Sequence, residues 1–200
     1  MLNATLGQMR AEIDRMKNLA KADSTSSFVF YFAGHGMPDE KTKEGYLVPV
    51  DASPFSLSNT AIKINDLYAS LNQYPSRRVT VFLDACFSGA LTGSDERAIK
   101  VKPKEADQTA IKGNFVVFTS SSDEEYSKIY KEKKHGMFTY FLLKKIQETG
   151  GNISYGELAE FIKSEVNKTS LNIYYTGQAP QVIFSPQSQN NWGKWKIFSR

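Results

Sequence analysis

Apolar residues recur at spacings of three and four through Leu6, Met9, Ile13, Met16 and Leu19, which predicts an amphipathic helix over residues 2–21. Serines at 24, 26 and 27 break the pattern. A nearly continuous apolar run, Phe28-Val-Phe-Tyr-Phe-Ala33, follows and stops at Gly34-His35-Gly36. It predicts a strand buried on both faces of a parallel sheet, with the glycines marking the turn at its carboxyl end. Tyr46-Leu-Val-Pro-Val50 reads as an edge or irregular strand, because Pro49 cannot donate to a ladder.

Residues 65–74 predict a short helix with Leu67, Tyr68 and Leu71 inward. A second buried strand, Val79-Thr-Val-Phe-Leu-Asp84, ends at Ala85-Cys86-Phe87-Ser88-Gly89. Residues 91–114 carry many Lys, Asp, Glu, Thr and Gly and few large apolar side chains, so they read as a mobile surface linker. A third buried strand, Phe115-Val-Val-Phe-Thr119, runs into a polar turn at residues 120–125. Helices are expected over 138–149 and 155–167, and a last strand over 181–184. Trp192 and Trp195 read as a terminal segment packing on the domain.

Strands alternating with helices predict an α/β fold with a mostly parallel sheet and helices on both faces. Ligands of such sheets sit beyond the carboxyl ends of the strands. His35, Cys86 and the 120–125 turn all follow such ends, so three distant segments are expected to converge on one edge.

Composition narrows the chemistry. A chain of 200 residues suffices for one domain with its own core. The net charge of +4 is spread along the chain and forms no basic arm, which argues against a nucleic-acid partner. No apolar run approaches the length of a membrane span and no signal peptide is evident, so a cytoplasmic location is expected. A single cysteine excludes an internal disulfide, and one cysteine with two histidines cannot furnish a Cys/His zinc site.

The lone thiol needs another role. A thiolate is a strong nucleophile, and a neighbouring imidazole can take or return its proton. His35 precedes Cys86 by 51 residues, each after a buried strand. His135, the other histidine, precedes a predicted helix and is the competing base.

Tyr31-Phe-Ala-Gly-His-Gly36, Tyr46-Leu-Val-Pro-Val-Asp51 and Leu83-Asp-Ala-Cys-Phe-Ser-Gly89 together resemble the catalytic motifs of bacterial caspase-like and metacaspase peptidases, in order and at the family spacing. Likeness extends to Gly136-Met-Phe-Thr139 and Gln178-Ala-Pro-Gln181. The resemblance implies a caspase-like three-layer α-β-α sandwich. It implies a single domain divided into a large-subunit-like part (1–90), a linker (91–114) and a small-subunit-like part (115–200).

The resemblance also implies a cysteine endopeptidase with Cys86 as nucleophile, His35 as acid/base, and the backbone N–H groups of Gly36 and Cys86 as oxyanion hole. Asp84 would line a pocket for arginine or lysine, with Asp123, Glu124 or Glu125 as a second carboxylate. Ser120, Ser121 and Ser122 would pair with substrate backbone as an added strand. Self-cleavage is expected in the linker, which offers Arg97, Lys100, Lys102, Lys104 and Lys112. Gingipain- or clostripain-like peptidases share the dyad chemistry.

The family's first strands, which would precede the N-terminal helix, are not evident. The chain is therefore expected either to belong to a longer protein or to close a sheet edge by pairing with another chain, as a homo-oligomer or with an N-terminal segment. A non-catalytic caspase-fold interaction module is the alternative from a different class. No cofactor is required; calcium activation stays open, with Asp39, Glu40 and Glu44 available but no EF-hand pattern.

Overall fold

The computed structural model describes residues 1–86, 111–122 and 127–197. It begins with α1 (Leu6–Ala22), which starts four residues later than the apolar spacing implies. The reason is a capping box: the Thr5 hydroxyl accepts from the Gln8 N–H, and the Gln8 side chain accepts from the Thr5 N–H. Then come β1 (Ser27–Pro38), β2 (Gly45–Leu47), α2 (Leu57–Thr60), β3 (Ile62–Lys63) and α3 (Ile64–Leu71). The central strands are β4 (Arg78–Cys86) and β5 (Phe115–Thr119). A small hairpin of β6 (Ile129–Tyr130) and β7 (His135–Gly136) leads into α4 (Met137–Thr149), α5 (Tyr155–Tyr174) and β8 (Gln181–Phe184).

The main sheet has the order β3-β2-β1-β4-β5-β8. Its long strands β1, β4 and β5 run parallel, and antiparallel pairs stand at both ends. Two hydrophobic layers cover it. On one face Met9 and Ile13 of α1 and Leu67, Tyr68 and Leu71 of α3 pack on Val79, Val81, Leu83, Phe115 and Val117. On the other, Phe138, Phe141 and Leu142 of α4 and Leu158, Ile162 and Val166 of α5 pack on Phe82, Val116 and Phe118. The result is the expected three-layer α-β-α sandwich around a mixed sheet.

Two expectations need correction. The strand β1 does not stop at Gly34; it runs on through Gly36 to Pro38, because Gly36, Met37 and Pro38 pair with β2. Nor is it buried on both faces. Phe28, Phe30 and Phe32 pack into the α1/α3 layer, whereas Val29 (52%) and Tyr31 (46%) stay exposed. The α4/α5 layer centres on β4, β5 and β8 and covers that stripe of β1 only in part.

Within the expected surface linker, Ile111 is buried in the core at 1% exposure. Residues 91–110 lie outside the described residues. Trp192 stacks on Phe184 at 5.3 Å, seating the terminal segment against the sheet.

Candidate active site

Parallel pairing of β1 with β4 brings the backbones of the two candidate residues together. His35 and Cys86 are register partners, the last pair of the ladder. Neighbouring strands lie about 4.8 Å apart, so a histidine and a cysteine far apart in sequence end side by side at one sheet edge. His35 is exposed. Its carbonyl accepts from Val48 N–H at 2.9 Å, which turns its backbone groups toward the β2 side. Alternation along the strand then turns the N–H of Gly36 toward the β4 side, where Cys86 ends its strand.

Asp84, two residues before Cys86, is 7% exposed. A buried carboxylate needs partners, and this one has them from two later segments. Ser127 Oγ donates to Oδ1 at 2.7 Å. Thr139 donates to Oδ2 twice, through its backbone N–H at 3.2 Å and its hydroxyl at 2.6 Å. Thr139 is the third residue of α4, whose N-cap is Gly136 and therefore lacks a capping side chain. Asp84 supplies the missing cap from across the sheet, and its charge suits the positive end of the helix.

Gly136 also makes room for it. A methyl group at that position would overlap Asp84 Oδ2. Tyr31 completes the network, its hydroxyl lying 2.8 Å from Thr139 Oγ1. Burial holds the Tyr31 phenol above its ordinary range; the Thr139 hydrogen bond opposes that shift and the charge of Asp84 adds to it.

The 120–125 turn is placed in part. Ser120 is fully buried and committed to the scaffold, which leaves its hydroxyl unavailable to a substrate. Its N–H donates to Leu83 O, its hydroxyl to Ala85 O, and its carbonyl accepts from Gln178 Nε2. Ser121 is half-buried, and its carbonyl accepts from Thr119 Oγ1 at 3.1 Å. Asp123, Glu124 and Glu125 lie outside the described residues. His135 is exposed in β7.

Among the described residues no cluster of acidic, histidine or cysteine side chains is arranged to hold a metal ion. Asp39 caps its own turn, accepting from the N–H groups of Thr42 and Lys41, which hold its carboxyl below the usual range. Glu44 pairs with Lys63. No helix among the described residues is long and apolar enough to cross a membrane.

Sequence reasoning did not assign roles to Ser127, Thr139, Lys128 and Gln178. The last two anchor the segment beside the site. Lys128 Nζ donates to Ser170 Oγ, to the carbonyl and hydroxyl of Thr176, and to Gly177 O, at 2.6 to 2.8 Å. Lys128 N–H donates to Gln178 Oε1, and its carbonyl accepts from Met137 N–H at the start of α4. A lysine between two site residues gives no local signal of this kind; only the later return of α5 shows it.

A three-layer sandwich with histidine and cysteine paired at the carboxyl edge of its parallel strands defines the caspase class of fold. The chain belongs to the caspase domain family, whose profile matches residues 1–191. Among solved structures it is similar to protein GSU0716 from Geobacter sulfurreducens, with a TM-score of 0.67 and 19% identity over 95% of this chain and 78% of that one. It is also similar to caspase-1 from Spodoptera frugiperda, with a TM-score of 0.53 and 16% identity over 91% of this chain and 68% of that one. Among curated proteins, no relative matches the sequence.

Proposed function

We propose that this chain is a cysteine endopeptidase that cuts after arginine or lysine. The observation that carries the reading is the register pairing of His35 with Cys86 at the end of the β1/β4 ladder. In this mechanism the Cys86 thiol loses its proton to His35 as its sulfur attacks the scissile carbonyl, and the oxyanion is held by backbone N–H groups of Gly36 and Cys86. His35 then gives the proton to the departing amine, leaving a thioester. Water, deprotonated by the same imidazole, hydrolyses the thioester and regenerates the thiol.

Preference for a basic residue rests on Asp84. Its negative charge lies beside the Cys86 end of β4, and among the described residues no cation is paired with it. Self-cleavage within residues 91–114 follows from the same specificity, since Arg97, Lys100, Lys102, Lys104 and Lys112 lie there.

Hydrolysis of fluorogenic peptides ending in Arg, Lys or Asp, by this chain and by Cys86→Ala, tests the proposal. Turnover of the basic peptides that vanishes in the variant supports it. No turnover of any peptide, together with a Cys86 that iodoacetamide does not alkylate, overturns it.

That second outcome would favour a non-catalytic interaction module. The observation behind this alternative is the half-exposed stripe of Val29 and Tyr31 on β1, whose residues 27–34 have a strand partner on the β4 side alone among the described residues.

A further inference from the structure

We infer that Asp84 is set to accept one further donor, so that its pocket takes lysine at least as readily as arginine, with Thr139 deciding the balance. The inference rests on the peptidase reading and refines its substrate class.

An ionised carboxylate offers about four acceptor positions, two on each oxygen. Thr139 fills both positions on Oδ2, with its N–H at 3.2 Å and its hydroxyl at 2.6 Å. The single proton of that hydroxyl is committed to Asp84, so the Tyr31 hydroxyl, 2.8 Å away, donates to Thr139 Oγ1. The backbone at Gly136 lies against the same oxygen, where a methyl group would collide. On the other oxygen, Ser127 fills one position at 2.7 Å. Among the described residues no donor takes the second position on Oδ1.

The donors are fixed by the scaffold. Ser127 is followed by Lys128, whose ammonium is held by Ser170, Thr176 and Gly177 and whose backbone is tied to Gln178 and Met137. Thr139 is fixed by the first turn of α4. The Thr139 N–H cannot withdraw without disturbing the helix.

This arrangement acts differently on the two basic side chains. Arginine gains most when two parallel N–H groups meet the two oxygens of one carboxylate. With Oδ2 filled, a guanidinium meets Asp84 through Oδ1 alone, and about four of its five N–H groups need partners elsewhere. A lysine ammonium is a compact point charge that uses one acceptor and leaves two donors for water or backbone. Arginine thus loses its geometric advantage, and lysine keeps its electrostatic one.

The test is kcat/KM for paired peptides differing only in terminal Lys or Arg, measured on the whole chain and on Thr139→Val and Thr139→Ser, with thermal melts to establish folding. The wild type is expected to cleave the lysine peptide at least as well as the arginine peptide. Thr139→Val frees one position on Oδ2 and is expected to shift the ratio toward arginine by about fivefold or more, a gain expected from restored bidentate pairing. Thr139→Ser keeps the hydroxyl and is expected to keep the wild-type ratio.

If Thr139→Val does not fold, Thr139→Ala makes the same comparison. A wild type that prefers arginine, or a ratio equal in the valine and serine variants, overturns the inference while leaving the peptidase intact. Failure to cleave either peptide with an inert Cys86 overturns the peptidase reading itself.

Discussion

The carboxylate of Asp84 caps helix α4 by accepting both the backbone N–H and the hydroxyl of Thr139, 55 residues further along the chain. One side chain thus joins the end of β4 to the start of α4, beside the residue assigned as nucleophile. Its removal should cost stability as well as specificity. Asp84→Ala removes the acceptor of three hydrogen bonds, two of them buried, so a loss of about 2–4 kcal/mol is expected in urea denaturation. Asp84→Asn keeps an acceptor oxygen and should lose less, while turnover of Arg and Lys peptides falls in both. An alanine variant as stable as the wild type would show that the cap contributes nothing.

Gly136 and Gly7 make a contrasting pair. Adding a methyl at Gly136 drives it into Asp84 Oδ2, so Gly136→Ala should destabilise by about 1–3 kcal/mol and displace the carboxylate. Gly7 lies in the first turn of α1 with open space around it, so Gly7→Ala should stabilise by up to about 1 kcal/mol through helix propensity. Denaturation midpoints of the two variants should move in opposite directions.

The role assigned to His35 separates chemistry from folding. Its side chain is exposed, so His35→Ala should change stability by no more than about 0.5 kcal/mol. The same change should lower kcat/KM by about a hundredfold or more, the usual worth of a positioned acid/base. His135→Ala should leave catalysis unchanged. Near-equal activity of the His35 variant and the wild type would remove His35 from the mechanism.

Acid stability should depend on the cap of α5. The Ser154 hydroxyl and N–H bond Glu157, and hold its carboxyl below the usual glutamate range. The unfolded chain therefore takes up this proton first as pH falls. The contribution is complete above the ordinary glutamate range and drains away as pH drops through it toward the lower folded value. Glu157→Gln keeps the cap without the ionisation. Between pH about 7 and about 3 its urea midpoint should fall less than that of the wild type. An equal fall would sink this assignment.

Much of the fold was legible because it is written in local periodicity. The strands at 115–119 and 181–184 stand where the apolar runs placed them, and Leu67, Tyr68 and Leu71 are the buried face of α3. The start of α1 has a local signal in the Thr5 to Gln8 spacing, which the apolar pattern alone missed by beginning too early. Extension of α5 to Tyr174 was hidden, since its last turns carry no strong stop signal before Tyr175 enters the left-handed region.

Other features had no local signature. In Phe28-Val-Phe-Tyr-Phe every side chain is apolar or aromatic, so nothing in the run tells a covered face from a half-exposed one; the position of α4 and α5 over β4, β5 and β8 decides that. Ser120 looks like a surface residue but is buried, because Leu83, Ala85 and Gln178 supply partners for each of its polar groups.

The sequence by itself therefore determined the order of elements, the candidate residues for the proposed chemistry and the family they resemble, because these depend on residue type and on spacings within a strand or helix turn. Only the tertiary structure decided that His35 and Cys86 share a register, that Asp84 is bonded to Ser127 and Thr139, and that Val29 and Tyr31 of β1 stay half exposed. Those facts depend on how strands pair and helices pack across long stretches of chain, and hydrogen bonds between distant groups leave no pattern in the residues that make them.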